Sequence, residues 1–278
     1  MSRTSRARIT VDGIEFDPIT QVEVVERIEA VLAKPARKTS YRVVKPYVEF
    51  FEGARNDPAV HAALTEADLV VADSVAVQWA ASWLAEPRPT FSRFVWSLVV
   101  GLRRHKWLSR VIPERGEGAS ATHQLMIASV QHGWRVGILG GPHNPEATKR
   151  NVLDRYPLLQ LEGVWSGYYS PAELTPLVHK IKAAQIDILY VAMGFPKQEL
   201  FMQTHTRPAL ARVMIGEGGT FDYDEMGGKH RRAPQWMRQS GLEWLWRLIL
   251  QPTRIFRQLA IPRFMWRIFL QSRRAKKA

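Results

Sequence analysis

Residues 187–206 read DILYVAMGFPKQELFMQTHT and carry the clearest indication of the fold. The run from Ile188 to Met193 is continuously apolar, which is typical of a strand buried on both faces of a parallel sheet. A turn over Gly194-Phe195-Pro196 follows, and then an amphipathic stretch from Lys197 to Thr206 that predicts a helix. A buried strand, a turn and a helix form one unit of an α/β fold.

The same order repeats outward from this unit along the chain. An alternating pattern around Asp12-Gly13 predicts a small hairpin over residues 7–17, because Asp-Gly favours a tight turn. Apolar runs predict strands at 40–44, 68–72, 135–139, 159–164 and 211–215. Amphipathic runs predict helices at 20–33, 48–67 with a break near 57–58, 74–84, 145–155 and 170–184. The pattern predicts an α/β protein with a Rossmann-like parallel sheet flanked by helices.

The positive charge is concentrated at one end of the chain. The net charge is +13, and residues 229–278 hold thirteen Lys and Arg against one acid, Glu243. We therefore predict an α/β body over residues 1–228 and a basic helical appendage over residues 229–278. A basic end indicates a polyanionic partner.

Two segments interrupt the alternation of strands and helices. Residues 88–113 hold six Lys and Arg, no acid and four of the large aromatic residues, and residues 236–270 hold four tryptophans with arginines between them. Basic and aromatic residues at helical spacing favour helices that lie in a membrane interface. A packed helical unit with a solvated basic face and a nucleic-acid surface are the alternatives.

Composition narrows the possible classes further. The chain has no cysteine, so disulfides and thiolate metal sites are excluded. The first ten residues are polar and basic, and we expect no secretory signal there. No apolar run reaches the roughly 18 residues of a membrane-spanning helix, so we expect none.

Two candidate site segments follow predicted strands in the first half of the chain. Asp73 comes directly after the strand at 68–72, where an acid can accept a proton from a hydroxyl nucleophile. An N-cap of the next helix is the alternative role for this carboxylate. Gly140 and Gly141 stand where a later strand enters a helix, which suits a diphosphate but is also typical of a plain tight turn.

Two further segments follow strands in the second half. Residues 194–199, GFPKQE, combine a flexible turn with a cation and an amide. Residues 216–222, GEGGTFD, supply glycines for close approach of a ligand and Asp222 as a hydrogen-bond acceptor for hydroxyls or amines. A bulge or loop connection is the alternative for the second segment. Neither is a dinucleotide fingerprint, which argues against a nucleotide-dependent oxidoreductase.

Five motifs in order make the pattern more specific. GFPKQE and GEGGTFD are followed by RAP at 232–234, GLEWLWRL at 241–248 and QPTRIFRQ at 251–258. ADLVVADS at 67–74, ERGEG at 114–118 and ILGGP at 138–142 precede them. In order and spacing, over roughly residues 66–258, the chain resembles the WecG/TagA/CpsF glycosyltransferases, which are glycosyltransferase family 26 with the GT-E fold.

The resemblance implies an inverting transfer of a sugar from a UDP-sugar to a polyprenyl-diphosphate-linked acceptor, with no metal and no cofactor. It implies that Asp73 is the general base. It places donor-side and active-site residues at Gly194, Pro196, Lys197, Gln198, Glu199, Gly218, Gly219 and Asp222. It implies that Arg247, Arg254, Arg257 and Arg232 bind diphosphates, for which the forked guanidinium is suited.

The sequence departs from the family pattern at three places. The family's Asp-Gly is Asp73-Ser74, and its acid after the ERxxG motif is Ser120. Its Thr-x-Asn is replaced by Lys45-Pro46-Tyr47, where Lys45 is a candidate to balance a phosphate charge. These departures affect the prediction of which donor sugar is used more than the prediction of the class of reaction.

The family also implies a place and partners for the protein. We expect a cytoplasmic protein bound peripherally to the anionic inner face of the plasma membrane, working in cell-envelope or exopolysaccharide synthesis. A homo-oligomer is possible, and no nucleic acid is expected. The alternative function is a non-catalytic membrane or nucleic-acid adaptor that retains the fold.

Overall fold

The structure is a computed structural model, and it describes most of the α/β body and parts of the C-terminal segment. The described residues are 6–101, 104–116, 118–141, 144–221, 223, 226, 231, 233–234, 236–237, 243–250 and 259–274.

A short antiparallel hairpin opens the chain. Strand β1 (Ile9–Val11) pairs with β2 (Ile14–Phe16). Asp12 and Gly13 turn between them with φ of 46° and 86°, the left-handed region that Asp and Gly tolerate. The predicted hairpin is confirmed.

Six parallel strands form the central sheet. They are β3 (Tyr41–Val44), β4 (Leu69–Val70), β5 (Arg135–Gly140), β6 (Gln160–Trp165), β7 (Ile188–Ala192) and β8 (Val213–Gly216). Their order is β4-β3-β8-β7-β5-β6, and each neighbouring pair is parallel. All five residues of β7 are buried, as expected for a strand covered on both faces. The predicted fold class is confirmed.

Helices cover both faces of this sheet. The described helices are α1 (Gln21–Leu32), α2 (Val48–Asn56), α3 (Pro58–Thr65), α4 (Val75–Leu84), α5 (Phe91–Val99), α6 (His105–Leu108), α7 (Gly118–His132), α8 (Pro145–Arg155), α9 (Pro171–Ala183), α10 (Lys197–Thr204), α11 (Glu243–Leu250) and α12 (Ala260–Arg274). One core cluster joins α2, α3, α4, α10 and α12 to the sheet, and a second joins α1, α7 and α8 to its other face. Adjacent strand residues divide between the two clusters, because successive side chains of a strand point to opposite faces.

Two elements differ from the sequence prediction. Strand β4 has only two residues, where a run of five was expected. Helix α7 was not predicted; it packs against α1, and it buries small residues such as Ala121, Ala128 and Ser129 beside Leu125 and Met126. Small and polar residues let two helices approach closely but give little apolar periodicity in the sequence.

The C-terminal helix α12 packs against α2 and α4. Phe264, Ile268 and Phe269 are buried in the same core cluster as the sheet residues. The Arg267 guanidinium donates to Asp12 at 2.8 Å and to Glu52 at 2.6 Å, which ties the helix to the hairpin turn and to α2. The domain boundary at residue 228 remains a prediction.

Candidate active site

The predicted site segments gather at one edge of the sheet. Strands β3, β4, β5, β7 and β8 are parallel, so their carboxyl ends lie along the same edge, where open α/β sheets bind ligands. The segments that follow these strands are 45–47, 71–74, 140–141, 193–199 and 216–221.

Asp73 lies at this edge, just past β4. Its backbone N–H donates to the Pro46 carbonyl at 3.4 Å, which joins the end of β4 to the end of β3. The N-cap of α4 is Ser74, whose hydroxyl accepts from the Val77 N–H at 3.3 Å. The capping interpretation of Asp73 is therefore wrong, and its side chain is partly exposed at this edge.

Lys45 and Glu217 form a buried ion pair at the same edge. The Lys45 ammonium contacts Glu217 Oε1, and the two residues are 8% and 4% exposed. The other Glu217 oxygen, Oε2, accepts from the Thr220 hydroxyl at 2.6 Å. Burial lowers the pKa of Lys45 to about 8, and the nearby Asp73 carboxylate opposes that shift. Lys45 is therefore still charged at neutral pH, and its charge is directed to carboxylates of the protein itself.

The GFPKQE segment is tied together by the Gln198 side chain. Its Oε1 accepts from the Gly194 N–H at 3.2 Å, and its Nε2 donates to Glu199 Oε1 at 2.7 Å. Glu199 is fully buried, and burial raises the pKa of its carboxyl to about 7 although the hydrogen bond from Gln198 opposes this. Pro196 stands at the N-cap of α10, so the motif fixes where this helix begins.

The GEGGTFD segment packs directly on Gln198. A Cβ atom added to Gly216 would lie 2.9 Å from Gln198 Nε2, and one added to Gly218 would lie 2.9 Å from Gln198 Oε1. Any larger residue at either glycine would displace this amide. The structure therefore brings Gly194, Gln198 and Gly218 together, with Gly219 in the turn that follows.

Gly140 and Gly141 serve the packing of β5 against β7. They have φ of 103° and 84°, and a Cβ on Gly140 would lie 2.3 Å from the Ala192 carbonyl oxygen. The Gly141 N–H donates to that same carbonyl at 2.8 Å. Only glycine fits position 140, so the packing of β5 against β7 is enough to explain why a glycine stands there. A role in diphosphate binding stays a prediction.

The Lys197 ammonium is directed towards the loop after β6. It donates to the Gly167 carbonyl at 2.7 Å and lies 4.6 Å from the centroid of the Tyr169 ring. The sequence analysis did not single out Gly167 or Tyr169. Their chain segment carries no motif, and only the sheet order brings it beside α10.

Glu217 was also missed by sequence reasoning, although it lies inside a quoted motif. The available signal was that Glu217 and Lys45 each follow an apolar strand, so that both belong to the same edge of the sheet. Their pairing depends on β8 lying next to β3, which the order of the strands along the chain does not reveal.

The remaining predicted residues lie wholly or partly outside the described structure. Asp222, Arg232, Arg254 and Arg257 fall outside the described residues, and Arg247 lies in α11 with a side chain that is not described. Their proposed contacts with diphosphates stay predictions.

Within the described ranges, no group of three or more His, Cys, Asp or Glu side chains is arranged to hold a metal ion. Among the described helices, none combines the length and the apolar character needed to span a bilayer.

The fold is of the α/β class, in which ligands generally bind beyond the carboxyl ends of the parallel strands. The chain matches the Glycosyl transferase WecG/TagA/CpsF family over residues 9–100 and 96–278, and it belongs to that family. It is therefore a glycosyltransferase.

Curated relatives cover almost the whole chain. The N-acetylglucosaminyldiphosphoundecaprenol N-acetyl-beta-D-mannosaminyltransferase of Staphylococcus aureus strain NCTC 8325 is 29% identical over 99% of this chain and 98% of its own length. The proteins of the same name from strains COL and MRSA252 are similar to the same extent.

Proposed function

We propose that this glycosyltransferase moves a sugar, with inversion, from a UDP-sugar to a polyprenyl-diphosphate-linked saccharide. The printed name of the relatives describes an acceptor of this kind, a sugar on diphosphoundecaprenol, and a transferred N-acetylhexosamine. The observation that carries the proposal is Asp73, which stands at the ligand-binding edge of the sheet and is not used as a helix cap. We place the reaction in cell-envelope or exopolysaccharide synthesis.

In the proposed reaction Asp73 is the general base. Its carboxylate takes the proton of an acceptor hydroxyl as that oxygen attacks the anomeric carbon of the donor. The bond from the anomeric carbon to the UDP phosphate oxygen breaks on the opposite face, and its electron pair leaves with UDP. The Lys45 ammonium lies near enough to interact electrostatically with this carboxylate, at the same edge of the sheet.

The glycine segments are proposed to face the donor. A Cβ added to Gly194 would meet no described atom within 4 Å, so this backbone borders open space. The Gly194 N–H itself donates to Gln198, so other backbone N–H groups of the glycine segments are proposed to stabilise the charge that develops on the leaving diphosphate. Gly218 and Gly219 are proposed to act with Gly194, and Gln198 to hold the three in place.

Arginines of the C-terminal segment are proposed to bind the acceptor diphosphate. Arg232, Arg247, Arg254 and Arg257 supply forked donors suited to phosphate oxygens. The thirteen basic residues of 229–278 support attachment to the anionic inner face of the plasma membrane, at about 1 kcal/mol for each Lys or Arg near the surface. A lipid-linked acceptor would be reached there.

Asp73→Asn tests the proposed base. We expect turnover to fall by roughly 10²–10⁴-fold, which is the usual contribution of general-base catalysis. Binding of UDP should persist, because the amide keeps the shape of the side chain. Asp154→Asn, on the exposed surface of α8, is the matched control and should keep full activity. Full turnover by the Asp73→Asn protein would remove Asp73 from the mechanism.

Calorimetric titration with UDP and a panel of UDP-sugars separates the enzyme from an adaptor that merely retains the fold. Micromolar binding of UDP, with one preferred sugar, is expected of the enzyme. A folded protein that binds none of them would support the adaptor, which we would then test for salt-sensitive binding to nucleic acid.

A further inference from the structure

Helix α5 turns an apolar face outward. Phe91, Val95, Trp96 and Val99 are 58%, 42%, 39% and 59% exposed. Their spacing along the helix puts them on one side, while Phe94 on the other side is buried. A helix that is apolar on its outer face as well as on its inner face is suited to a non-aqueous neighbour.

Helix α12 continues this face. Trp266 and Leu270 are 47% and 39% exposed. The Trp266 ring lies 5.2 Å from the buried Phe269 ring, and Phe91 of α5 lies 6.1 Å from the same ring. The outward rings of the two helices therefore flank one shared aromatic cluster. We call Phe91, Val95, Trp96, Val99, Trp266 and Leu270 the α5–α12 face.

The charges on the helices of this face have one sign. Helices α5, α6 and α12 contain no Asp or Glu. The exposed basic residues on and beside them are Arg88, Arg93, Arg104, His105, Lys106, Arg110, Arg263, Arg273 and Arg274. Arg93 shares the carboxylate of Glu86 with Arg110, while Arg104 lies over the Trp96 ring at 5.8 Å. Aromatic and aliphatic side chains surrounded by cations match the interface of a bilayer that carries anionic lipids.

A second copy of the chain fits this face less well. Two such faces placed together would oppose like charges without any acid on α5, α6 or α12 to compensate. An anionic lipid surface offers the opposite charge and accepts the exposed rings at the same time.

Helix α4 connects this face to the proposed base. Asp73 precedes the N-terminus of α4, and further along α4 the indole N–H groups of Trp79 and Trp83 donate to Ser97 of α5 at 3.1 Å and to Ser272 of α12 at 3.0 Å. The two helices of the face are therefore held against the same helix that begins beside Asp73.

We infer that α5 and α12 together form one membrane-docking face, which inserts its rings among the headgroups of an anionic bilayer. Docking is then shared between the central segment 88–113 and the C-terminal helix. The inference rests on the proposed function, which already places the C-terminal segment at an anionic membrane, and deepens it by adding α5 and naming the side chains that insert.

The test is sedimentation of the full chain with vesicles of phosphatidylcholine, with and without phosphatidylglycerol. Val95→Gln/Val99→Gln changes two exposed side chains of the face and spares the core. We expect it to weaken binding to the anionic vesicles by about tenfold or more, since each valine loses apolar burial worth on the order of 1 kcal/mol. Val22→Gln/Leu158→Gln removes two exposed aliphatic side chains of α1 and the α8–β6 loop, and should bind like the unaltered protein.

A second readout separates this inference from the proposed function. The Val95→Gln/Val99→Gln protein should keep its transfer activity on a detergent-dispersed acceptor and lose it on vesicles. Unchanged vesicle binding by this variant would overturn the inference. It would also be overturned if the unaltered protein were a dimer that the substitution converts to monomers. Absence of transfer by the unaltered protein in detergent, with intact vesicle binding, would instead count against the proposed function alone.

Discussion

The buried ion pair between Lys45 and Glu217 has a large and measurable consequence for stability. Lys45→Met removes the ammonium and leaves the Glu217 carboxylate, which is 4% exposed, with the Thr220 hydroxyl as its remaining described hydrogen-bond donor. Removing one partner of a buried pair costs about 3–5 kcal/mol, because the other charge stays buried without compensation. For a chain of this size we expect Tm to fall by about 10 °C.

The double variant Lys45→Met/Glu217→Gln removes both charges and keeps an acceptor for Thr220. Replacing both members of a buried pair by neutral groups is often close to neutral, so we expect most of the lost stability to return. Urea unfolding of the unaltered protein, both single variants and the double variant gives the coupling energy, which should exceed about 2 kcal/mol.

Lys149→Met, at an exposed position on α8, is the matched control and should stay within about 0.5 kcal/mol. A Lys45→Met protein as stable as this control would refute the reasoning. So would a double variant whose loss equals the sum of the two single losses.

Two further predictions concern the same edge of the sheet. Burial raises the pKa of Glu199 from 4.5 to about 7, so the folded state binds the extra proton and the free energy of unfolding should fall by up to about 3 kcal/mol as pH rises from 4.5 past 7. Glu199→Gln should lack this loss, and parallel stability–pH profiles for the two proteins would contradict the assignment. Gly140→Ala and Gly194→Ala should each cost roughly 1–2 kcal/mol of backbone strain, because both glycines have positive φ. In urea unfolding Gly140→Ala should lose several kcal/mol more, because its Cβ atom would also clash with the Ala192 carbonyl. Equal losses would show that the clash is relieved by movement of β7.

Local signals in the sequence were sufficient for most of the secondary structure. The Thr20–Glu23 capping box begins α1, and a box at Ser170–Glu173 begins α9. Each signal depends on residues within one turn of each other, so no tertiary context is needed to read it. Helix α7 has no described cap of this kind and buries small residues, and it was missed.

The order of the strands could not be read in the same way. The last strand, β8, enters the sheet between β3 and β7, and Lys45 and Gly194 come shortly after the ends of these two strands. This insertion makes the Lys45–Glu217 pair and the contact of Gln198 with Gly218. The motifs predicted which segments line the site, while their contacts depend on a topology that no single segment specifies.

Asp73 shows how the structure can remove one of two local interpretations. An acid before a helix is a common cap, and the sequence alone left that interpretation open. The hydroxyl of Ser74, one residue later, makes the capping hydrogen bond instead. The role of Asp73 as general base stays a prediction from the family resemblance.

The central claim is tested most directly by a transfer assay with defined substrates. Purified protein would be incubated with a synthetic sugar-diphosphoundecaprenol in detergent and with each of several radiolabelled UDP-sugars. We expect one UDP-sugar to yield a labelled lipid-linked disaccharide of inverted anomeric configuration, with release of UDP and loss of the product in the Asp73→Asn protein. A folded protein that forms no lipid-linked product from any donor, across acceptors bearing glucose and N-acetylglucosamine, would contradict the account.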